Sequence, residues 1–241
     1  MTVTIPAREF ARLVDRVTAI VPDDPVPVPV LRNVHAWTAD GRLLMEATDR
    51  HVLLRTRHTA DTDDADLDTL IRAEHLTVAR RAIPDPTPVP ETDWEDSEAW
   101  ITTVDPAKDW TVTIRASDDG EHVHITIHGD TEVTITDETR PLSEWPPLDA
   151  IWANTRVTAG QDATCYNPQL LAGLLRAAPD GEPAVIWHSG GECRATVVTL
   201  GPDTVALIMP VVLGTPDVID PVPDPRDGWP GLLADGEEGQ A

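Results

Sequence analysis

The chain has 241 residues, 18 basic and 42 acidic, for a formal net charge of -24. That length buries a core without disulfides or metals, and the two cysteines, Cys165 and Cys193, argue against a disulfide framework or a thiolate zinc site. A surface this acidic repels nucleic acid on average, so any DNA contact has to be a local basic strip.

The N-terminus, MTVTIPAREF, lacks a basic region followed by an apolar run, and nowhere is there an apolar stretch long enough to span a bilayer. A cytoplasmic protein without membrane contact is the expectation. Residues Ile5 to Val21 read as an amphipathic helix, because Phe10, Leu13, Val14 and Val17 keep helical spacing and Pro6 suits the first turn. Arg8, Arg12 and Arg16 form a stripe on another face, which is either a solvated face or a phosphate-facing one. VPDDPVPVPV is an extended connector. Three strands follow, LRNVHAWTA, GRLLMEATD and HVLLRTRHT, with Asp40-Gly41 as a hairpin signal.

Residues 59–69 are an acidic loop. A short strand then enters a helix from about Glu74 to Ile83, with Arg80 and Arg81 near its C-terminus, where positive charge suits the helix dipole. Pro84, Pro86, Pro88 and Pro90 predict a loop to about Glu98. EAWITTV, DWTVTIRA, EHVHITIH and TEVTITD predict strands, with turns at Asp119-Gly120 and Gly129-Asp130. PLSEWPPLDAIW is a proline-containing connector and TRVTAGQDAT an extended run. Asn167 caps a helix with Pro168 at its first position, and PAVIWHS, ECRATVVTL and TVALIMPVVL are strands. The tail, 214–241, has five prolines, seven acidic residues and one basic residue, Arg226, so it is expected to be disordered.

Motifs for catalysis are missing: no phosphate loop, no nucleophile elbow and no His-Glu-x-x-His helix. The only lysine, Lys108, lies in PAKDW without a glycine loop. His122, His124 and His128 share a strand face but have no carboxylate or cysteine at a supporting spacing, so a solvated face is the simpler reading. Neither an enzyme nor a cofactor is expected.

Two segments carry a resemblance. Pro29-Val30-Leu31-Arg32-Asn33-Val34, then Asp40-Gly41-Arg42-Leu43, then Ala47-Thr48-Asp49-Arg50-His51-Val52-Leu53 resemble the central domain of the bacterial sliding clamp family, the DNA polymerase III beta subunits. Tyr166-Asn167-Pro168-Gln169-Leu170-Leu171 through Leu174-Leu175, with Ala206-Leu207-Ile208-Met209-Pro210-Val211-Val212-Leu213, resemble its last helix and strand. LIRAEHL and Glu144-Trp145-Pro146-Pro147-Leu148 add weaker matches, and together these segments cover about 1–213.

The resemblance implies an α+β, clamp-like fold of repeated helix-plus-strands units, with antiparallel sheets outside and helices on one face. It divides the chain into a central-like domain at 1–150, a partial C-terminal-like domain at 151–213 and the tail. It implies a processivity factor that binds DNA polymerase, or other proteins with a clamp-binding motif, in a hydrophobic pocket. That pocket would use Leu31, Thr48, Arg50, His51, Val52, Leu53, Pro146, Ile151, Leu207, Ile208, Met209, Pro210 and Val211. Arg8, Arg12, Arg16, Arg80 and Arg81 become contacts to duplex DNA without sequence readout. The chain is shorter than the family pattern, so a homo-oligomeric ring competes with a stand-alone protein that binds or sequesters clamp partners. Val52 and Val212 stand where the family is usually basic. The tail's isolated apolar residues Trp229, Leu232 and Leu233 suggest a segment that folds back into the pocket.

Overall fold

The computed structural model describes residues 2–22, 28–62, 67–91, 100–154, 166–178, 182–187 and 195–209. Both cysteines, the TRVTAGQDAT run and the tail with Trp229, Leu232 and Leu233 lie outside the described residues.

The chain opens with a strand, β1 (Thr2–Pro6), ahead of helix α1 (Ala7–Thr18). This corrects the predicted start of the helix. Val3 and Ile5 alternate into the core and pair with Ile114 and Val112, so tertiary pairing overrides the helical reading of Ile5. Pro6 ends the strand as the residue before the helix (φ -56°, ψ 137°). The helical period downstream holds: Phe10, Leu13, Val14 and Val17 are buried.

A 3-10 turn (Pro29–Arg32) precedes three antiparallel strands, β2 (Asn33–Ala39), β3 (Arg42–Thr48) and β4 (Val52–Thr59). Asp40 and Gly41 both have positive φ, 51° and 67°, as the tight hairpin between β2 and β3 requires. The short β5 (Asp61–Thr62) and β6 (Asp68–Arg72) lead to helix α2 (Ala73–Arg81). Next come β7 (Thr87–Glu91), β8 (Trp100–Val104), β9 (Thr111–Ala116), β10 (His122–His128) and β11 (Val133–Glu138). β7 was predicted as loop, yet it pairs with β8, with Pro88 opposite Thr103 and Pro90 opposite Ile101. Alternate prolines share one side of a strand, so a two-stranded ribbon loses no ladder bond if that side faces away from the partner. The connector holds a second 3-10 turn (Leu142–Glu144) and a short helix, α3 (Leu148–Asn154). Helix α4 (Pro168–Arg176) and strands β12 (Ala184–Trp187), β13 (Thr196–Leu200) and β14 (Thr204–Ile208) complete the described chain. Asn167 caps α4 as predicted, its Oδ1 accepting from Gln169 N at 2.9 Å.

The strands form a five-stranded sheet, β11-β10-β9-β1-β5, and a seven-stranded sheet, β12-β13-β14-β4-β3-β2-β6. Two helix-plus-strands units, β1 to β4 with α1 and β6 to β11 with α2, exchange strands: β1 pairs with β9, and β6 pairs with β2. The two units therefore interlock. Helices α1 and α2 pack on each other and on the strands, and one continuous apolar core runs from Val3 and Phe10 through Met45, Leu76 and Ile125 to Leu174 and Ile208. Among the described residues no helix is long and apolar enough to cross a membrane.

Candidate functional site

The turn from β3 to β4 is built by its own side chains. Asp49 Oδ1 accepts from the backbone N–H of His51 at 2.8 Å and of Val52 at 2.6 Å. Thr48 Oγ1 donates to Val52 O at 2.7 Å and accepts from Arg50 N at 3.0 Å. These bonds hold Arg50 at φ 80°, a left-handed conformation that costs a side-chain-bearing residue strain. β14 runs antiparallel beside this turn, with Leu207 opposite Leu53 and Ile208 opposite Val52, and Met209 N donates to His51 O at 2.8 Å.

Where these segments meet, a cavity of about 230 Å³ opens. It is lined by Leu31, Thr48, Arg50, His51, Val52, Leu53, Pro146, Leu148, Ile151, Ala195, Leu207 and Met209. Of the predicted pocket residues, Pro210 and Val211 lie outside the described residues. Ile208 does not line the cavity: strand alternation turns it to the opposite face, where it is buried in the main core. Leu148 and Ala195 were missed. Leu148 sits three residues before Ile151, a helical spacing that could have found it; Ala195 carries no sequence signal. The floor is apolar, since Leu53, Leu148 and Leu207 form one buried cluster. Ile151 and Met209 are 45% and 39% exposed at the rim, large apolar side chains left to water.

A polar clasp lies behind the wall formed by the connector. Glu46, on β3, is 1% exposed. Its Oε2 accepts from Arg55 Nε at 2.8 Å and from Trp152 Nε1 at 2.9 Å, and Trp145 Nε1 approaches its Oε1 at 3.5 Å. Arg55 lies 5.0 Å from the Trp37 ring centroid and 5.1 Å from that of Trp152, and it also reaches Asp149 at 2.8 Å.

The predicted arginines are divided. Arg8, Arg12 and Arg16 do share one side of α1. Arg8 Nε donates to Asp105 at 2.8 and 2.9 Å, and that pairing holds the Asp105 carboxyl below the usual aspartate range. Arg16 donates to Thr204 Oγ1 at 2.9 Å and Thr56 Oγ1 at 3.3 Å, and burial holds its guanidinium below the usual arginine value. Arg80 bonds Asp15 at 2.9 Å, Asp85 at 2.5 Å and Ile83 O at 3.1 Å. Arg12, 63% exposed, pairs with Glu9 at 2.6 Å. Arg81 is exposed and lines a cleft of about 510 Å³ with Arg32, Arg72, Arg140 and Glu74. A second charged cleft, about 680 Å³, mixes Arg12, Arg16, Arg57 and Arg176 with Glu9, Asp15, Glu182 and Asp203.

His122, His124 and His128 lie on β10 as alternation predicts, engaged with neighbours: His124 with Thr136 at 3.0 Å, and His128 with Thr113 at 3.0 Å and Glu132 at 3.1 Å. Asp119, Glu121 and His122 could bring ligand atoms within 4.8 Å of one another, but this is an exposed turn whose Asp119 is already bonded to the Ser117 hydroxyl and Glu121 N.

No protein-family model matches the sequence, and no curated protein matches it. Solved structures do. A DNA polymerase III beta subunit from Eubacterium rectale superposes with a TM-score of 0.67 at 11% identity, over 89% of this chain and 66% of that one. A Pseudomonas aeruginosa sliding clamp bound to griselimycin gives 0.58 at 14% identity, over 90% and 66%. A Caulobacter crescentus sliding clamp gives 0.58 at 13% identity, over 90% and 67%. This chain thus spans about 66% of the length of the first of these. With its antiparallel sheets and paired helices, this chain has the fold of the DNA polymerase III beta sliding clamps over part of their length.

Proposed function

We propose that the protein is a sliding-clamp-like processivity factor, a non-catalytic platform that captures apolar segments of DNA polymerase or other replication proteins. The observation that carries this is the cavity where the Thr48–Leu53 turn meets β14 and α3. Its volume, about 230 Å³, is smaller than most small-molecule sites but suits one or two anchoring side chains of a short peptide. Leu31, Leu53, Leu148 and Leu207 supply apolar contact, and Met209 adds a side chain that adapts its shape. Each fully buried leucine or phenylalanine anchor contributes about 1.5–3 kcal/mol. Residues 1–150 are read as one clamp-like domain, and 151–213 as part of a second.

Duplex DNA contact through the helices is the second half of the proposal. Arg12 and Arg81 are its best-supported members, because they are the most open to an incoming phosphate. A second reading is a stand-alone protein that competes for clamp partners without closing a ring.

Binding of griselimycin, the compound bound by the Pseudomonas aeruginosa clamp, tests the cavity by calorimetry. Saturable binding that Leu207→Asp removes supports the platform; no binding to the intact chain, or binding unaffected by that change, rejects it. Native mass separates ring from monomer, and retention on circular but not linearised DNA separates encirclement from surface contact.

A further inference from the structure

We infer that Glu46 is a positioning residue for the cavity: its buried carboxylate grips Trp145, Trp152 and Arg55, and so holds the connector in place as the wall that a bound apolar peptide leans on. The inference rests on the cavity being a peptide site. It adds that the affinity of that site is set from behind the wall, by a group that never touches the ligand.

The geometry of α3 carries the argument. Leu148 and Ile151 are three residues apart and line the cavity. Asp149 and Trp152, each one residue later, make the adjacent stripe and reach Arg55 and Glu46. One helix turn therefore has the cavity on one side and the clasp on the other. Trp145 repeats the pattern: its indole N–H approaches Glu46 while its neighbour Pro146 lines the cavity.

Burial makes the grip tight. The Glu46 side chain is 2% exposed, and a carboxylate taken out of water is costly unless hydrogen-bond donors surround it. Those donors come from two places. Arg55 is the cross-strand partner of Glu46 on β4, so it belongs to the rigid sheet. The two indoles belong to the connector. Lifting the connector would strip the indole donors from a buried charge and remove one face of the aromatic sandwich around Arg55. The wall is thereby pinned to β3 and β4, the strands that also carry Thr48 and Leu53 into the cavity.

The test uses the full chain and a fluorescein-labelled hexapeptide with two leucines and a C-terminal phenylalanine, read by anisotropy. Glu46→Gln keeps the shape but places an amide N–H among donors, and should weaken binding about tenfold or more, the scale of one lost charge-assisted hydrogen bond. Trp152→Phe keeps the ring, loses one donor, and should weaken binding by less; it stands in should the first variant fail to fold. A double-mutant cycle separates positioning from general loosening. Glu46→Gln combined with Ile151→Ala, both acting through the wall, should lose less than the product of the single effects. Glu46→Gln combined with Met209→Ala, which sits off the connector, should multiply within about twofold. Unchanged peptide affinity in Glu46→Gln, or simple multiplication in both cycles, overturns the inference. Hydrogen exchange reads the clasp without any peptide: Glu46→Gln should speed exchange across α3 and leave β3 and β4 protected. Unaltered α3 exchange overturns the clasp even where the peptide binds, whereas a wild-type chain that ignores the peptide while α3 loosens in the variant rejects only the cavity as a peptide site.

Discussion

The apolar cavity was implied by the family resemblance and the arginine stripe of the first helix by residue spacing, and the folded chain treats them differently. At the cavity, the apolar side chains gathered by the fold reach solvent at the rim, where Ile151 and Met209 are exposed. On the helices, Arg8, Arg16 and Arg80 are engaged with internal acids and hydroxyls. The contrast is chemical. A large apolar side chain exposed at a rim loses its contact with water only when something covers it. A guanidinium in a chain of 42 acidic residues finds a carboxylate nearby, and its presence on a helix face says little about its freedom.

The contrast can be broken most sharply from the cavity side. Leu207→Asp puts an unpaired carboxylate into the buried Leu53–Leu148–Leu207 cluster and should reduce affinity for the labelled hexapeptide by about 100-fold or more. Retained affinity would move the binding surface elsewhere. The helix side is tested by charge reversal at half-buried and exposed positions. Arg80→Glu should cost about 1–3 kcal/mol of stability in denaturant titration, because it sets like charges against Asp15 and Asp85. Arg12→Glu and Arg81→Glu should leave stability within about 0.5 kcal/mol, and each should lower the salt dependence of duplex binding by about one unit of slope. A larger slope change at Arg80 than at Arg12 would reverse the ranking of exposed and half-buried arginines.

Two smaller effects sharpen the same comparison. Arg8 depresses the Asp105 carboxyl, so the stability it contributes is present above the ordinary aspartate value of about 3.9 and fades as pH falls through the lower folded value. The difference in melting temperature between wild type and Asp105→Asn should therefore be constant from neutral pH to about pH 5 and shrink in stronger acid. A difference that grows in acid would contradict the pairing. Arg50→Gly should be nearly neutral, or stabilising by up to about 1 kcal/mol, since glycine accepts φ 80° without a Cβ clash at the price of chain entropy. Strong destabilisation would mean that the Arg50 side chain supports the turn.

Local rules made much of this architecture legible. The Asp40-Gly41 hairpin and the Asn167-Pro168 helix start follow from backbone chemistry that depends on a few adjacent residues. The errors arose where distant partners decide. Ile5 joins a strand because β9, more than a hundred residues on, is there to receive it, and Pro88 and Pro90 form a ribbon because β8 pairs with them. At the cavity, the resemblance located the contributing segments. Strand alternation could have excluded Ile208 from them, because Leu207 and Met209 occupy the cavity side. The Glu46 clasp was illegible: a single glutamate in an apolar strand looks like a solvent-facing residue until Trp145 and Trp152 close over it.

The β4–β14 ladder gives the cavity an unusual dependence. Leu53 and Leu207 face each other across that ladder although they lie far apart in sequence, so the receptor is split and exists only while the β13–β14 hairpin stays zipped to the body. Fraying of β14 dissolves the very surface a ligand needs, and a ligand that fills it must in return act as a fastener. Occupancy and the closed state of the late strands are then one equilibrium, and slower amide exchange along Thr204–Ile208 on adding ligand would report it directly.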